Sequence, residues 1–99
     1  MKPISRAVDR VLRGLGLATE VARASAIDVW PAAAAGVLGP DGERTRAIAV
    51  DGDTLVVSVP DGAWAAEIRL RSADLRERIA VLAPRAKIAS IRSVVTVRS

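Results

Sequence analysis

One stretch, Gly52 to Arg69, constrains the fold more than any other part of the chain. It opens with a segment rich in β-branched residues, Thr54 to Val59. Leu55, Val57 and Val59 share one side of this segment if it is extended, because side chains in a strand alternate with a period of two. The pattern predicts a strand with one face in the core.

The spacing of the apolar residues changes after the turn Pro60-Asp61-Gly62. Trp64 and Ile68 are four residues apart, which places them on one side of a helix. Asp61 precedes that helix in the position of a capping residue. The change of period across the turn therefore predicts a strand-to-helix corner.

The apolar stripe continues through Leu75 and Ile79. A single uninterrupted helix would place Arg71 on that stripe and Leu70 nearly opposite it. Two helices that meet near Ser72, with Ser72 as the capping residue of the second, fit the pattern better.

Two further strands are predicted on either side of these elements. Arg44–Val50 pairs with Thr54–Val59 in a hairpin around Asp51-Gly52, a strong hairpin signal. Lys87–Arg98 forms the third strand, with a bulge near Ser93. The order of elements predicts an α+β fold, in which a three-stranded sheet is covered by helices on one face.

The N-terminal segment has an amphipathic pattern. Apolar residues from Ile4 to Leu15 form one helical stripe, and Arg6, Arg10 and Arg13 lie on the opposite side. Gly14 and Gly16 are expected to end this helix. The arginines are either a solvated face or a phosphate-binding ridge.

A second helix is predicted from Thr19 to Ala35. Pro31 predicts a kink or a restart near Trp30, because proline removes a hydrogen-bond donor and clashes one turn back. Trp30 is expected to be a core anchor. The sequence Gly36-Val37-Leu38-Gly39 matches the Gly-x-x-Gly of KH domains, but it leads towards a strand rather than a second helix, so we interpret it as a loop.

The composition limits the catalytic and metal-binding chemistry that this chain can perform. A chain of 99 residues is one small domain, in which residues 1–17 are the N-terminal basic helix and residues 18–99 the core. It contains no cysteine and no histidine, which removes thiolate chemistry and the commonest metal ligand and general base. We therefore predict no catalytic residues, no metal, no cofactor and no small-molecule substrate. No run suggests a membrane span, so no membrane partner and a cytoplasmic location are expected.

The charge is unevenly distributed along the chain. Residues 1–39 carry five basic and three acidic side chains (+2), residues 40–61 two and five (−3), and residues 62–99 eight and three (+5). A nucleic-acid surface therefore belongs to the basic flanks. Besides the three N-terminal arginines, the candidates are Arg69, Arg71, Arg76, Arg78, Arg85 and Lys87. A solvated face is an equal alternative, because Glu67, Asp74 and Glu77 dilute this charge.

The sequence contains no phenylalanine or tyrosine, and its two tryptophans are needed in the core. A stacking platform for bases cannot be built from them. Binding to single-stranded or duplex DNA would therefore be electrostatic and without sequence specificity.

The ordered motifs of the central stretch resemble the DciA-type loaders of the bacterial replicative helicase DnaB. The matching residues are Asp51-Gly52, Leu55, Val57, Val59, Ala63-Trp64-Ala65 and Glu67-Ile68-Arg69. Upstream, Trp30, Gly36 or Gly39, and Thr45 are similar to the family's Trp–Gly–Thr pattern, with a longer spacing at Gly39–Gly42. Downstream, Ile88–Arg92 is similar to its closing strand. The resemblance covers Trp30 to Arg98.

The resemblance implies a KH-like fold and a non-catalytic adaptor of DNA replication, whose partner is the replicative helicase. An RNA-binding KH-like module of ribosome maturation remains an alternative, and an enzyme is disfavoured by the missing side chains. The predicted structural anchors are Trp30, Leu55, Val57, Val59, Trp64, Ile68, Leu75 and Ile79.

Overall fold

The computed structural model describes the backbone of residues 3–96 and the side chains of residues 20–96. The described chain contains a long helix, a short 3₁₀ helix, a hairpin, two helices and a third strand. Their bounds are α1 (Pro3–Leu38), the 3₁₀ helix (Pro40–Arg44), β1 (Arg46–Asp51), β2 (Thr54–Val59), α2 (Gly62–Leu70), α3 (Ser72–Leu82) and β3 (Ser90–Val95).

The three strands form one sheet with β2 in the centre, antiparallel to β1 and parallel to β3. The core lies between this sheet and the helices, where the inward side chains of β2 meet residues of α1, α2 and α3. The predicted α+β fold with helices on one face is confirmed, and it agrees with the KH-like arrangement that the resemblance implies.

The predicted core is confirmed for every anchor except one. Seven of the predicted anchors are at most 1% exposed: Trp30, Leu55, Val57, Val59, Ile68, Leu75 and Ile79. Trp64 packs against this core but is only partly buried. It therefore contributes less buried apolar area than Trp30.

The hairpin turn is one residue further along than the sequence indicated. Asp51 pairs with Thr54, so the two turn residues are Gly52 and Asp53. Gly52 has φ 62°, and Asp53 does not have a positive φ. A positive φ at the first central residue alone is the pattern of a type II′ turn, which favours glycine there.

Helix α1 is continuous, and the predicted breaks in it are wrong. It runs for 36 residues through Gly14, Gly16 and Pro31, past the predicted start at Thr19. Pro31 is exposed, and the carbonyl group that loses its N–H partner is that of Ile27, one turn earlier. The buried side of the same helix holds it against the core, and tertiary packing of this kind overrides a local breaker.

The second half of α1 corrects the expectation that no run of this sequence suggests a membrane span. Glu20–Leu38 is long and apolar enough to cross a membrane by length and composition. In this fold its apolar side has a different role, because Ala26, Trp30, Ala33 and Ala34 are all buried in the core. One side of this stretch is therefore part of the core of the domain.

The bulge predicted near Ser93 is also wrong. β3 pairs with β2 in one unbroken register, and the irregularity lies in β1, at Ile48. Ala47 and Val50 both face the core, although their spacing would put them on opposite faces of a regular strand. The extra residue in β1 restores the alternation.

The corner between β2 and α2 is confirmed in detail. The Trp64 N–H donates to Asp61 Oδ1 at 3.0 Å, which caps α2 as predicted. The division into two helices is also confirmed, but Ser72 is the first residue of α3 and not its cap. The Arg71 N–H donates to the Glu67 carbonyl group, and the Arg71 carbonyl group accepts from the Leu75 N–H. The backbone groups at the junction therefore have hydrogen-bond partners without a side-chain cap.

Trp30 fixes the position of the 3₁₀ helix. Its Nε1–H donates to Thr45 Oγ1 at 3.0 Å, and the Thr45 hydroxyl donates to the Gly42 carbonyl group at 2.6 Å. A Cβ atom on Gly42 would lie 2.8 Å from the Ala34 carbonyl oxygen. The longer segment between Trp30 and Thr45 therefore contains a 3₁₀ helix that packs directly on α1. Position 42 in this helix requires glycine.

We expect Gly42→Ala to lower the free energy of unfolding by about 1–3 kcal/mol, because the added methyl group collides with the backbone of α1. Gly62→Ala is the matched control, since a Cβ atom there meets nothing within 4 Å. Urea denaturation measures both. Equal stability of the two variants would contradict the close contact at Gly42.

We expect Thr45→Val to cost about 1–3 kcal/mol, because it leaves the buried Trp30 N–H without its acceptor. Thr54→Val removes a hydroxyl group that is hydrogen-bonded to Ser90 on the exposed side of the sheet. That control should change stability by less than about 0.5 kcal/mol. Thermal and urea unfolding, followed by tryptophan fluorescence, compare the two variants.

Candidate nucleic-acid interface

The predicted basic residues of α3 do not share one surface. Arg76 and Arg78 are two positions apart, which places them about 200° apart around the helix axis. Arg76 faces β3, because its Nε donates to the Ser72 carbonyl group at 3.4 Å and its Nη1 to the Ala89 carbonyl group at 3.2 Å. Arg78 faces α1, where its Nε would lie 3.3 Å from a Cβ atom on Gly36.

A groove runs between α2 and β3 on the side that Arg76 faces. It has a volume of about 270 Å³ and is lined by Ala65, Ile68, Arg69, Ser72, Ile91, Arg92 and Ser93. Ile68 is buried at its base, and Arg69 is exposed beside it. The groove thus combines an apolar floor with guanidinium and hydroxyl groups at its sides.

Arg69 and Arg92 line this groove, Arg71 directly precedes its lining residue Ser72, and Arg76 donates to the Ser72 carbonyl group. We call these four arginines the basic surface. Arg71 pairs with Glu67 at 3.2 Å, but both side chains are about half exposed. An exposed pair of this kind contributes little stability, so the Arg71 guanidinium group remains available for a phosphate.

Arg92 is a member of this surface that sequence reasoning missed. It lies on the edge strand β3, opposite Val56, and its Nη2 is 3.9 Å from Asp51 Oδ2. Both side chains are more than half exposed. The signal was present in the sequence, because Arg92 follows the apolar Ile91 and consecutive side chains in a strand point to opposite faces.

The acidic residues of α3 are separated from the basic surface. Asp74 and Glu77 line a different groove, together with Val37, Arg78 and Val81, on the side of α3 that faces α1. Of the three carboxylates that were expected to dilute the basic charge, Glu67 alone lies on α2 beside Arg71. The fold thus separates Asp74 and Glu77 from the basic surface, where Glu67 and Asp51 remain beside Arg71 and Arg92.

The remaining candidates fall outside the groove lining. Arg85 and Lys87 are exposed in the segment between α3 and β3, and Lys87 adopts a left-handed conformation with φ 51°. The side chains of Arg6, Arg10 and Arg13 lie outside the described residues.

The groove lacks the clamp of a KH domain. In KH domains a GXXG loop holds the nucleic-acid backbone, whereas here Arg71 alone connects α2 to α3. Gly36 to Leu38 form the last turn of α1, so the interpretation of this motif as a loop is wrong except for Gly39. The lining of the groove contains no aromatic residue. Its lining therefore offers charge and hydrogen-bond donors rather than a surface on which bases could stack.

Comparison with models of protein families shows to which family this chain belongs. The family model described as "Dna[CI] antecedent, DciA" matches residues 3–93. The chain belongs to the DciA family. The comparison with curated proteins gave no significant match.

Membership of the DciA family confirms the resemblance seen in the sequence. It implies a role in loading the replicative helicase DnaB, with which this family acts. Members of the family are adaptors in DNA replication rather than enzymes. Among the described side chains of this DciA domain, no group of three or more acidic residues could hold a metal ion.

We expect Arg69→Ala/Arg71→Ala to weaken DNA binding and to reduce the slope of log K against log salt by about 1 for each phosphate that is no longer bound. Arg44→Ala/Arg46→Ala removes the same charge near the 3₁₀ helix and should change the slope little. Fluorescence anisotropy at several salt concentrations compares the variants. Equal weakening in the two double variants would mean that net charge matters and the basic surface does not.

Proposed function

We propose that this DciA-family domain is a non-catalytic adaptor that binds the replicative helicase and promotes its loading onto DNA. The family match over residues 3–93 is the observation that carries this proposal. Such a function places the domain in the cytoplasm, where it needs neither a membrane nor a small-molecule substrate.

An adaptor acts through its surfaces, and the residues of this chain suit that role. Catalysis by proton transfer or by a nucleophile depends mostly on histidine, cysteine or activated carboxylates. The sequence has neither histidine nor cysteine. The titratable side chains of the basic surface are instead exposed arginines around a shallow groove, an arrangement suited to binding.

The basic surface is proposed to contact DNA during loading. Its guanidinium groups can pair with phosphates of either single-stranded or duplex DNA, because phosphates carry no base sequence. No aromatic side chain lines the groove to stack on a base. The DNA contact is therefore weak, without sequence specificity and dependent on salt.

A KH-like fold also occurs in RNA-binding modules, which makes RNA the main competing ligand. The single-residue junction between α2 and α3 disfavours that function here, because the loop that clamps RNA in KH domains has no counterpart at this place. Ribosomal RNA is therefore the appropriate competitor in a binding assay.

We expect the purified domain to co-elute with the replicative helicase in size-exclusion chromatography and to accelerate its deposition on a DNA bubble. The Trp30→Ala variant is unsuitable as a control because it disrupts the core, so a reaction without the domain and one with an unrelated basic protein serve instead. DNA affinity should fall steeply between low and physiological salt.

Two outcomes would contradict the proposal. The first is the absence of both co-elution and faster deposition at micromolar concentration. The second is stable binding to ribosomal RNA that persists at high salt, which would favour the RNA-binding function.

A further inference from the structure

Another groove lies on the face of the sheet that the helices leave open. Its lining includes Ser58, which points away from the core because its neighbours Val57 and Val59 point into it. The groove has a volume of about 720 Å³ and is lined by Glu43, Arg44, Arg46, Ile48, Ser58, Val59, Pro60 and Thr96. We call it the Arg44–Arg46 groove. It shares no residue with the basic surface.

The two arginines of this groove have guanidinium groups that no described side chain occupies. Both side chains are exposed. No carboxylate among the described side chains forms an ion pair with Arg44 or Arg46, and this includes Glu43 in the same lining. Neither guanidinium group donates a hydrogen bond to a described residue. Two arginines and one carboxylate give the lining a net positive charge, with N–H donors that an anion can satisfy.

Two hydroxyl groups add hydrogen-bonding capacity to the same lining. Ser58 Oγ and Thr96 Oγ1 lie 2.6 Å apart. Because one of them donates to the other, one hydroxyl hydrogen of the pair remains for a ligand. Guanidinium and hydroxyl groups together match the oxygen atoms of an anionic group such as a carboxylate.

The distribution of charge along the chain favours a single carboxylate over a nucleic acid. Arg44 and Arg46 are the only basic residues between positions 40 and 61. Asp51 and Asp53 lie at the hairpin end of β1, and Asp61 directly follows the lining residue Pro60. DNA carries a phosphate at every nucleotide, so a strand that continued past the two arginines would meet these carboxylates. An acidic side chain of a protein places its charge at one point and avoids them.

The remaining parts of the groove also suit a protein segment. Ile48, at the bulge of β1, is 48% exposed, and Pro60 is exposed as well. β1 pairs with β2 and with no other strand of the described chain, so it is an edge strand. An exposed strand edge can take up an extended peptide through backbone hydrogen bonds. The backbone of a nucleic acid has no N–H groups for such pairing.

We infer that an extended acidic segment of the replicative helicase docks in the Arg44–Arg46 groove. An aspartate or glutamate of this segment accepts hydrogen bonds from the two guanidinium groups, and an apolar side chain beside it covers Ile48. Complementary charge is the observation that identifies the occupant. The inference rests on the proposed function and deepens it, because it states where the helicase binds and which chemistry its segment carries.

Two pairs of variants test this groove without removing a core side chain. Arg44→Ala/Arg46→Ala removes both guanidinium groups. Arg85→Ala/Lys87→Ala is its matched control, because it removes the same charge from exposed side chains outside the groove.

The second pair tests the apolar part of the groove. Ile48→Glu places a carboxylate beside the two arginines, where it competes with the acidic segment. Leu70→Glu is its matched control, since Leu70 is 80% exposed and does not line the groove.

We expect Arg44→Ala/Arg46→Ala and Ile48→Glu each to weaken helicase binding by about tenfold or more, as substitution of a central interface residue does. The two controls should bind helicase as the parent does. Isothermal titration calorimetry with the helicase measures these affinities. DNA anisotropy should give the same affinity for Arg44→Ala/Arg46→Ala as for the parent, and melting temperatures show whether each variant is folded.

The outcomes separate this inference from the proposed function. If the parent binds helicase and both groove variants bind equally well, the groove is not the docking surface and the adaptor function stands. If Arg44→Ala/Arg46→Ala loses DNA affinity as strongly as helicase affinity, the groove binds phosphates and the inference is overturned. If the parent does not bind helicase at all, both proposals are overturned. If one groove variant melts at a much lower temperature, the other decides.

Discussion

The hydrogen bond from Trp30 to Thr45 is the interaction on which the arrangement of this domain depends. It connects the longest helix to the residue that precedes β1, and both partners are at most 5% exposed. A buried indole N–H needs an acceptor, and the Thr45 hydroxyl supplies one while it donates to Gly42. This chain of two hydrogen bonds seats the 3₁₀ helix on α1 and determines where the sheet meets it.

Two surfaces follow from that arrangement. The helices α2 and α3 cover the β3 half of the sheet, and Arg69 and Arg76 lie near the groove beside β3, whereas Arg78 faces α1. Helix α1 and the 3₁₀ helix border the β1 half, where a second groove is lined mostly by apolar residues. Because β1 and β3 are on opposite sides of β2, the two grooves are separated by the width of the sheet.

This separation suits a protein that brings two unlike partners together. A helicase loader of the DciA family acts with DnaB, and loading ends with DnaB on DNA. The DNA contact proposed for the basic surface would be independent of base sequence, since phosphate contacts carry no base sequence.

The sequence by itself determined the corner from β2 to α2, the hairpin, the division between α2 and α3, and every fully buried anchor, because these depend on local periodicity and capping. Its resemblance to the DciA family was sufficient for the family assignment.

Only the tertiary structure decided the rest. The continuity of α1 through Pro31 depends on packing that a local rule cannot see. The bulge at Ile48 depends on which residues of β1 the core requires. The separation of Arg76 from Arg78 and from the α3 carboxylates depends on which side of α3 meets β3 and which meets α1, a matter of docking and not of sequence spacing.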